Sequence, residues 1–438
     1  MEQSPPPEPR SKLVSKVPFF YGWVIVGAVG VGFIMSGPTQ TFTFSVFVDP
    51  MLNELGWSKT LLSSLYTSAS LLAGLTLIVT GRLLDKIGPR AMLTGIGVLL
   101  GFTCLWLSTI HSAAVMFVGF AVLRMLGQNS LTLIPTMLIG NWFVRFRGRA
   151  MALAALGMAG SLALFPIMSH LAISRMGWRD TWIVLGIVVW VVLVPVSSLL
   201  LRNSPEDVGL RPDGARAPRQ EGGTPQPTTH HSQEVVWTVP EAIRTKAFWL
   251  VTLVSAFYTF VQTALSFHSV SIFISKGIPA GQAATLFSIM APSFLIGTVI
   301  AGTMNDKLPN RYTMIVGQLL VTAAVAWTFV ATELWHVLAY GLLLGMGGGF
   351  LSNVIAVIWS NYFGRQNLGS IRGFSTTFTV MAAALGPLPV GLLADITGAY
   401  TTPLVFLLVM PVVGATIALV TFPPKKAQHL EATGGLPA

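Results

Sequence analysis

Residues 81–90 read Gly-Arg-Leu-Leu-Asp-Lys-Ile-Gly-Pro-Arg, and residues 302–311 read Gly-Thr-Met-Asn-Asp-Lys-Leu-Pro-Asn-Arg. Gly, Asp, Lys and Arg stand at the same spacing in both copies, and each copy is a short polar break between two apolar runs. The copies are separated by about half of the chain. A duplication of this size between long apolar runs predicts a polytopic membrane protein built from two parallel repeats.

The composition also indicates a membrane protein. Of the 438 residues, 53% are hydrophobic and 10% are charged, whereas soluble domains average about 25% charged residues. The net charge of +10 comes from basic residues scattered over many short loops, which disfavours nucleic-acid binding because no basic patch forms. The single cysteine, Cys104, lies in an apolar run and cannot form an internal disulfide. The sequence predicts neither a cofactor nor a metal site.

Twelve apolar runs are each long enough to cross a bilayer, which takes about 20 helical residues. They cover residues 19–48, 60–83, 91–110, 113–143, 148–173, 178–201, 248–274, 282–304, 312–331, 335–362, 371–395 and 403–422. Six lie on each side of a segment rich in Pro, Gly and charge, which is typical of a linker. We therefore predict an all-α membrane protein with twelve transmembrane helices. Its parts are a disordered tail at 1–18, a six-helix bundle at 19–201, a linker at 202–246, a second bundle at 247–422 and a tail at 423–438.

Lys and Arg are distributed unequally between the two sides of the predicted bundle. With the N-terminus placed inside, the tails, the linker and alternate loops hold most of these residues. The opposite loops hold only Lys59, Arg175, Arg179 and Lys276. Because basic loops stay on the cytoplasmic side, we expect a multi-pass protein of the cell inner (plasma) membrane with both termini and the linker in the cytoplasm.

Two further matches extend the repeat. Residues 141–145 read Asn-Trp-Phe-Val-Arg and residues 361–365 read Asn-Tyr-Phe-Gly-Arg. Residues 45–48 read Ser-Val-Phe-Val and residues 271–274 read Ser-Ile-Phe-Ile. Both copies of each pattern fall on the same side of the predicted membrane, so the halves are parallel repeats.

With these motifs the chain resembles the major facilitator superfamily of transporters over essentially its whole length. Residues 81–90 resemble the signature loop of that superfamily, and residues 302–311 resemble its relic in the second half. Shorter segments resemble the bacterial monocarboxylate and oxalate/formate transporter group: 21–23 (Tyr-Gly-Trp), 177–179 (Gly-Trp-Arg) and 205–210 (Pro-Glu-Asp-Val-Gly-Leu). The resemblance implies two halves that rock about a central cavity lined by the first, fourth, seventh and tenth spans.

The chain departs from that group in two places. Members commonly carry an Arg in the eighth span, and the oxalate/formate type also a Lys in the eleventh. The eighth span here has neither Arg nor Lys, and Arg372 of the eleventh lies at its edge, which disfavours a doubly charged dicarboxylate. The drug-antiporter signature of the fifth span is also absent, since residues 157–160 are not followed by its Gly-Pro pair.

Arg124 is the leading candidate for a substrate-binding residue. It lies near the middle of the fourth span, where a cation costs at least about 2.5 kcal/mol unless it faces a cavity or a partner. Gln128 follows one helical turn later on the same face. Because a guanidinium matches a carboxylate, Arg124 predicts an anionic substrate. The alternative is a structural arginine bonded to helix carbonyls.

Other polar residues on the expected cavity-lining spans are also candidates for binding substrate. They are Gln40 and Thr43 in the first span, Tyr258 and Gln262 in the seventh, and Asn353 in the tenth. The alternative is that these hydroxyl and amide groups hold neighbouring helices together, as they often do in membranes.

Proton coupling has few candidate residues. No Asp or Glu lies deep in any predicted span, His268 is near the outer end of the seventh span, and Asp49 is at the end of the first. Coupling would therefore use His268, an edge carboxylate such as Asp49, or the substrate itself, or it would be absent.

By resemblance, the repeated loops are gates that hold the outward-open state. A carboxylate there can cap the positive N-terminus of a facing helix. The predicted gating residues are Gly81, Asp85, Lys86, Arg90, Asp306 and Arg311. Glycines at 345 and 347–349 predict either bending of the tenth span or close helix packing.

The sequence therefore predicts a secondary transporter that moves a small, monocarboxylate-like organic anion by alternating access and is not an enzyme. The expected partners are this substrate and the lipid bilayer, with no nucleic acid, and the protein is expected to be monomeric. One alternative is an exporter of lipophilic or cationic drugs with the same fold. A membrane-embedded enzyme is disfavoured because a deep carboxylate pair and a metal-ligand cluster are absent. ATP drive is disfavoured because no phosphate-binding loop is present.

Overall fold

The computed structural model describes residues 14, 17–76, 80, 83–84, 86–143, 146–214, 237–364 and 368–424. The side chains of residues 75, 128–129, 132–133, 135–136, 147–148 and 368–370 are outside this description. Throughout the described ranges the regular structure is helical. Eight of the helices are long and apolar enough to cross a membrane. The longest of them contains two spans, so these eight helices account for nine spans. The second, fourth and ninth spans are the remaining three, which makes twelve spans across the described ranges.

Six spans form the first half. The first consists of Gly22–Met35 and Thr41–Leu55, the second is Lys59–Leu75, and the third is Pro89–Ser108. The fourth runs through Ala113–Leu123, the π-helical segment Arg124–Ser130 and Leu131–Trp142. The fifth and sixth share the run Arg147–Pro195, which is kinked at Gly177, and the sixth ends in the π-helical segment Val196–Leu200.

Six spans form the second half after a short helix, Val239–Ile243. The seventh is Lys246–Ile274, the eighth comprises Ala280–Ala284 and Leu286–Lys307, and the ninth is Asn310–Thr328. The tenth is Leu334–Phe363, the eleventh comprises Leu368–Leu385 and Pro387–Thr397, and the twelfth is Thr401–Leu419. The order and number of spans agree with the sequence prediction.

The first span is longer than predicted. Its second helix continues through Pro50 to Leu55 and ends at Gly56, which has φ +66° and donates its N–H to the carbonyl of Leu52 over 3.0 Å. A glycine in this left-handed conformation is a common helix terminator. Asp49 therefore lies within this helix, and the helix continues beyond it toward Leu55.

Each half has its own hydrophobic core. Nearly all of one core comes from residues 14–208, and nearly all of the other from residues 237–418. Each core also receives one buried side chain from the opposite half, Phe267 in the first core and Val46 in the second. The first and seventh spans, which carry these residues, therefore form part of the seam between the halves.

The repeated Asn-aromatic-Phe motif has the same role in both halves. Trp142 Nε1 donates to the carbonyl of Arg202 over 3.2 Å, just beyond the sixth span. Tyr362 Oη donates to the carbonyl of Thr421 over 3.2 Å, just beyond the twelfth span. Each aromatic residue thus ties the end of one span to the end of the last span in its half.

Glycines of the tenth span permit close packing against the eighth. Gly341, Gly345 and Gly349 follow one another at one-turn spacing, and each faces a backbone carbonyl of the eighth span. A Cβ at Gly341 would lie 2.6 Å from the carbonyl oxygen of Leu286. The contacts of these glycines favour close packing over bending.

The described hydrogen bonds between the two halves lie toward one end of the bundle. We call the end that carries residues 201–245 the linker end, and the opposite end the far end. Hydrogen bonds between the halves join Asp395 to Lys59 and Thr60, His268 to Ser63, Ser271 to Asp49, and Ser288 to Ala163. For the described residues, these bonds all lie toward the far end, so this conformation is closed there.

Candidate functional site

The first span is broken near its middle. A 3-10 turn, Gly37–Thr39, follows the first helix, and Gln40 is extended with φ −85° and ψ 148° before the second helix begins at Thr41. Pro38 contributes to the break because it has no N–H to continue the helical ladder. The Gln40 side chain donates to Ser36 Oγ over 3.2 Å. Such breaks leave backbone polar groups inside the membrane region, where they need partners.

The fourth span passes directly against this break. The π-helical segment Arg124–Ser130 begins opposite it, and such segments often occur at functional sites. A Cβ at Gly127 would overlap the side chain of Thr39. The close approach of the two backbones places Arg124 beside the broken segment.

Arg124 is a buried cation with neutral partners. The residue is only 6% exposed. Its Nη1 donates to the carbonyl of Thr39 over 3.4 Å and to Thr41 Oγ1 over 3.3 Å. Its guanidinium carbon lies 4.6 Å from the ring centroid of Tyr66, and Tyr66 Oη is 2.5 Å from Thr41 Oγ1. These contacts occupy the carbonyl that the break leaves free, but they do not neutralise the charge.

The charge of Arg124 has no carboxylate partner in the described parts of the chain. The one ion pair found there joins Arg179 and Glu54 at the far end, over 2.8 Å. A buried guanidinium without a counter-ion is unfavourable, and an anionic ligand would supply the missing charge. The unneutralised charge therefore favours an anion as the ligand of Arg124.

The other predicted binding residues differ in whether their buried polar atoms have hydrogen-bond partners. Thr43 Oγ1 and Gln262 Oε1 are buried and have no hydrogen-bond partner in the described structure, which is unusual for buried polar atoms. Tyr258 Oη donates to the carbonyl of Gly348 over 3.4 Å and so binds within the second half. The side chain of Gln128 lies outside the described residues.

Asn353 belongs to a network that joins the eighth, ninth and tenth spans. Its Oδ1 accepts from Asn305 over 2.9 Å, and its Nδ2 donates to the carbonyl of Thr298 over 3.2 Å. Asn310 links Asn305 to Asn361 through two further bonds. These partners all lie in the second half, and a role for Asn353 in substrate binding stays a prediction.

His268 and Asp49 lie together in the seam near the far end. Asp49 Oδ2 accepts from Ser271 Oγ over 2.6 Å. His268 Nε2 is 3.0 Å from the carbonyl of Pro387 and 3.4 Å from Ser63 Oγ. Because a carbonyl can only accept, we assign the ring proton to Nε2. Both predicted proton-coupling residues thus contact the opposite half, while their role in coupling stays a prediction.

Tyr400, to which the sequence assigned no role, and Asp395, a carboxylate at the edge of a predicted span, also lie in this region. Tyr400 Oη lies 3.5 Å from His268 Nδ1, and Lys59 Nζ lies 4.7 Å from the Tyr400 ring centroid. Burial raises the pKa of Tyr400, so its hydroxyl remains neutral. Asp395 accepts from the backbone of the second span. No sequence spacing could have found this contact, because its partners are more than 300 residues apart.

Among the gating residues predicted in the first half, Arg90 has described contacts, and these lie within that half. Arg90 Nη2 donates to the carbonyl of Ser198 over 2.6 Å, and its backbone N–H donates to Asn203 Oδ1 over 2.9 Å. Lys86 is exposed. Gly81 and Asp85 lie outside the described residues.

In the second half, the described contacts of the predicted gating residue Arg311 also lie within its own half. Asp306 is exposed. The guanidinium of Arg311 lies 4.4 Å from the ring centroid of Phe422 and 4.9 Å from that of Tyr312. The structure is closed at the far end, so a gate that operates at the linker end in another conformation stays a prediction.

Comparisons with known proteins agree on one family. The sequence profile described as "Major Facilitator Superfamily" matches residues 29–291 and 269–436. Monocarboxylate transporter 2 of Homo sapiens is 24% identical over 430 residues, covering 90% of this chain and 84% of its own. The uncharacterized MFS-type transporter YcxA of Bacillus subtilis is 23% identical over 403 residues, covering 88% and 91%.

A solved structure shares the fold. It is a bacterial homologue of the human lysosomal transporter Spinster, in an inward-facing and unoccupied conformation. The TM-score is 0.71 at 13% sequence identity, with 92% of this chain and 97% of that chain covered. At this identity the likeness concerns the fold alone.

Proposed function

The chain belongs to the major facilitator superfamily and is a multi-pass membrane transporter rather than an enzyme; from this premise we propose that its substrate is a small organic anion of the monocarboxylate type. Transport occurs by alternating access between the two halves. The substrate binds beside the break of the first span, with its carboxylate facing Arg124.

The observation that carries this proposal is the uncompensated charge of Arg124. The guanidinium is almost completely buried, yet its described partners are a carbonyl, a hydroxyl and an aromatic ring. Each of these contacts stabilises a cation weakly compared with a carboxylate. A substrate carboxylate therefore gains a charge-assisted hydrogen bond at little added desolvation cost to the protein.

The number of buried cations supports a singly charged substrate. Arg124 is the only Lys or Arg among the buried residues that the structure describes. A dicarboxylate would leave one charge without a partner in the membrane interior, which is costly. The human relative named above is a monocarboxylate transporter, in agreement with this substrate class.

We also propose an orientation and a setting for the protein. The linker end faces the cytoplasm of a cell bounded by its plasma membrane, because Lys and Arg are concentrated there. The transporter works as a monomer, and coupling to protons uses His268 or Asp49 in the far-end seam.

The proposal is tested by uptake into liposomes that contain the purified protein. Labelled lactate and pyruvate are the probes, and Arg124→Gln is compared with the unchanged protein. We expect uptake to fall at least about tenfold, which corresponds to about 1.4 kcal/mol of lost binding. Arg124→Lys keeps the charge without the planar fork, and its uptake should lie between the two.

Arg179→Gln is the matched control, because it removes an arginine that binds Glu54 at the far end and leaves Arg124 intact. It should transport like the unchanged protein. Equal uptake by Arg124→Gln and the unchanged protein would refute the anion site. Uptake that is inhibited by lipophilic cations but not by monocarboxylates would instead support the drug exporter.

A further inference from the structure

A carboxylate of the second half caps a helix of the first half at the far end. Asp395 Oδ2 accepts from the backbone N–H of Thr60 over 2.6 Å and from Thr60 Oγ1 over 2.6 Å. Asp395 Oδ1 accepts from the N–H of Lys59 over 3.4 Å. Lys59 and Thr60 are the first two residues of the second span, where N–H groups have no partner within the helix.

The second span has a local cap as well, but that cap covers a different group. Ser58 Oγ accepts from the N–H of Leu61 over 3.0 Å. Ser58 and Asp395 therefore divide the first N–H groups of one helix between them. The part covered by Asp395 depends on the opposite half, and its negative charge also complements the positive end of the helix dipole.

The backbones of the two halves approach closely beside this contact. A Cβ at Gly391 would lie 2.6 Å from Ser63 Oγ and 2.9 Å from the carbonyl oxygen of Lys59. Gly391 is one helical turn before Asp395, so the absent side chain at Gly391 allows the eleventh span to reach the second. A larger residue there would separate the two spans.

We propose that Asp395 is a positioning residue of the transport cycle, which stabilises the conformation closed at the far end by capping the second span from the opposite half. We name this contact the cross-half cap. It must break whenever the far end opens, since its donors and its acceptor belong to different halves. The inference rests on alternating access and is independent of the substrate.

Lys59 gives the cap a second element. Its backbone N–H binds Asp395, while its ammonium lies over the ring of Tyr400. Tyr400 lies just beyond Pro387–Thr397, the helix that carries Asp395. Tyr400 in turn lies beside His268. Opening the far end therefore removes a charge–dipole contact and a cation–π contact together.

The cap is tested by measuring access to the seam from the far side. Cys104→Ala removes the only cysteine, and Val46→Cys then places a reporter in the buried seam. The rate of labelling by a membrane-impermeant maleimide, added on the far side without substrate, reports opening. In this background we expect Asp395→Asn to label about fivefold faster, because an amide keeps one acceptor and loses the charge.

Asp395→Glu restores the charge and should return the labelling rate toward that of the reporter protein. Glu54→Gln is the matched control, because Glu54 lies at the same end but binds Arg179 and Trp178 within its own half. Gly391→Ala leaves Asp395 unchanged and should also speed labelling, since it separates the spans. Equal labelling of Asp395→Asn, Gly391→Ala and Glu54→Gln would overturn the proposal.

A disulfide gives a second readout. Thr60→Cys with Asp395→Cys, again without Cys104, should stop transport when oxidised and recover it on reduction. Undiminished transport by the oxidised pair would contradict the cross-half cap. The maleimide labelling test needs no substrate, so failure of the anion proposal leaves the labelling test unaffected.

Discussion

At the scale of single residues, Arg124 has structural contacts that are compatible with the proposed binding of an anion. It binds the carbonyl of Thr39, which the break in the first span leaves without a helical partner. It also keeps a positive charge that the described residues do not neutralise. The two interpretations from the sequence, a substrate ligand and a structural arginine, are therefore compatible, because the contacts with the break hold the guanidinium without neutralising its charge.

Tyr66 should hold Arg124 mainly through its ring. Tyr66→Phe loses the hydrogen bond to Thr41 and should lower the free energy of unfolding by about 0.6 kcal/mol, a typical value for such bonds in membranes. Tyr66→Leu also removes the aromatic face under the guanidinium and should cost about 1 kcal/mol more. Titration of purified protein with a denaturing detergent measures both. Equal losses would show that the ring contributes nothing to holding Arg124.

At the scale of elements, the site depends on two irregular helices that face each other. The first span is broken at Gly37–Thr39, and the fourth span is π-helical over Arg124–Ser130. A regular helix in either place would satisfy its own backbone groups and would not bring the guanidinium to a free carbonyl. The apolar runs in the sequence predict both spans but neither irregularity, because a membrane selects for hydrophobic length and tolerates such breaks when neighbouring helices supply partners.

The close approach of these two spans makes a further prediction. Gly127→Ala would place a Cβ against Thr39 and should destabilise the protein by about 1–3 kcal/mol, as overpacking does. Gly27→Ala, in the first span, is the matched control because no atom lies within 4 Å of its added Cβ. The midpoint of thermal unfolding in detergent should fall for Gly127→Ala only. Similar midpoints for both variants would mean that the break can move away without cost.

At the scale of the whole molecule, the two ends of the bundle differ. Hydrogen bonds between described residues join the halves toward the far end. At the linker end, the described contacts of Arg90 and Arg311 lie within their own halves. Asp85 and Asp306 were predicted to cap a facing helix, which stays a prediction because Asp85 lies outside the described residues. Among the described residues, Asp395 caps a helix of the opposite half at the other end.

The orientation of the bundle can be tested by labelling single cysteines in the Cys104→Ala background. Lys307→Cys is exposed at the linker end, and Ser275→Cys is exposed at the far end. In intact cells an impermeant maleimide should label Ser275→Cys and spare Lys307→Cys, and inside-out vesicles should give the opposite pattern. The reverse result would place the linker outside and contradict the charge rule used to orient the chain.

The sequence by itself determined the number of spans, the duplication and the family. These features follow from local hydrophobic length and from repeated residues that can be read along the chain. It also located Arg124, since a charge inside an apolar run is conspicuous. Only the tertiary structure decided which groups meet: the Thr39 carbonyl with Arg124, and Asp395 with Thr60. These contacts depend on how helices pack across long separations, and neither composition nor spacing encodes that packing.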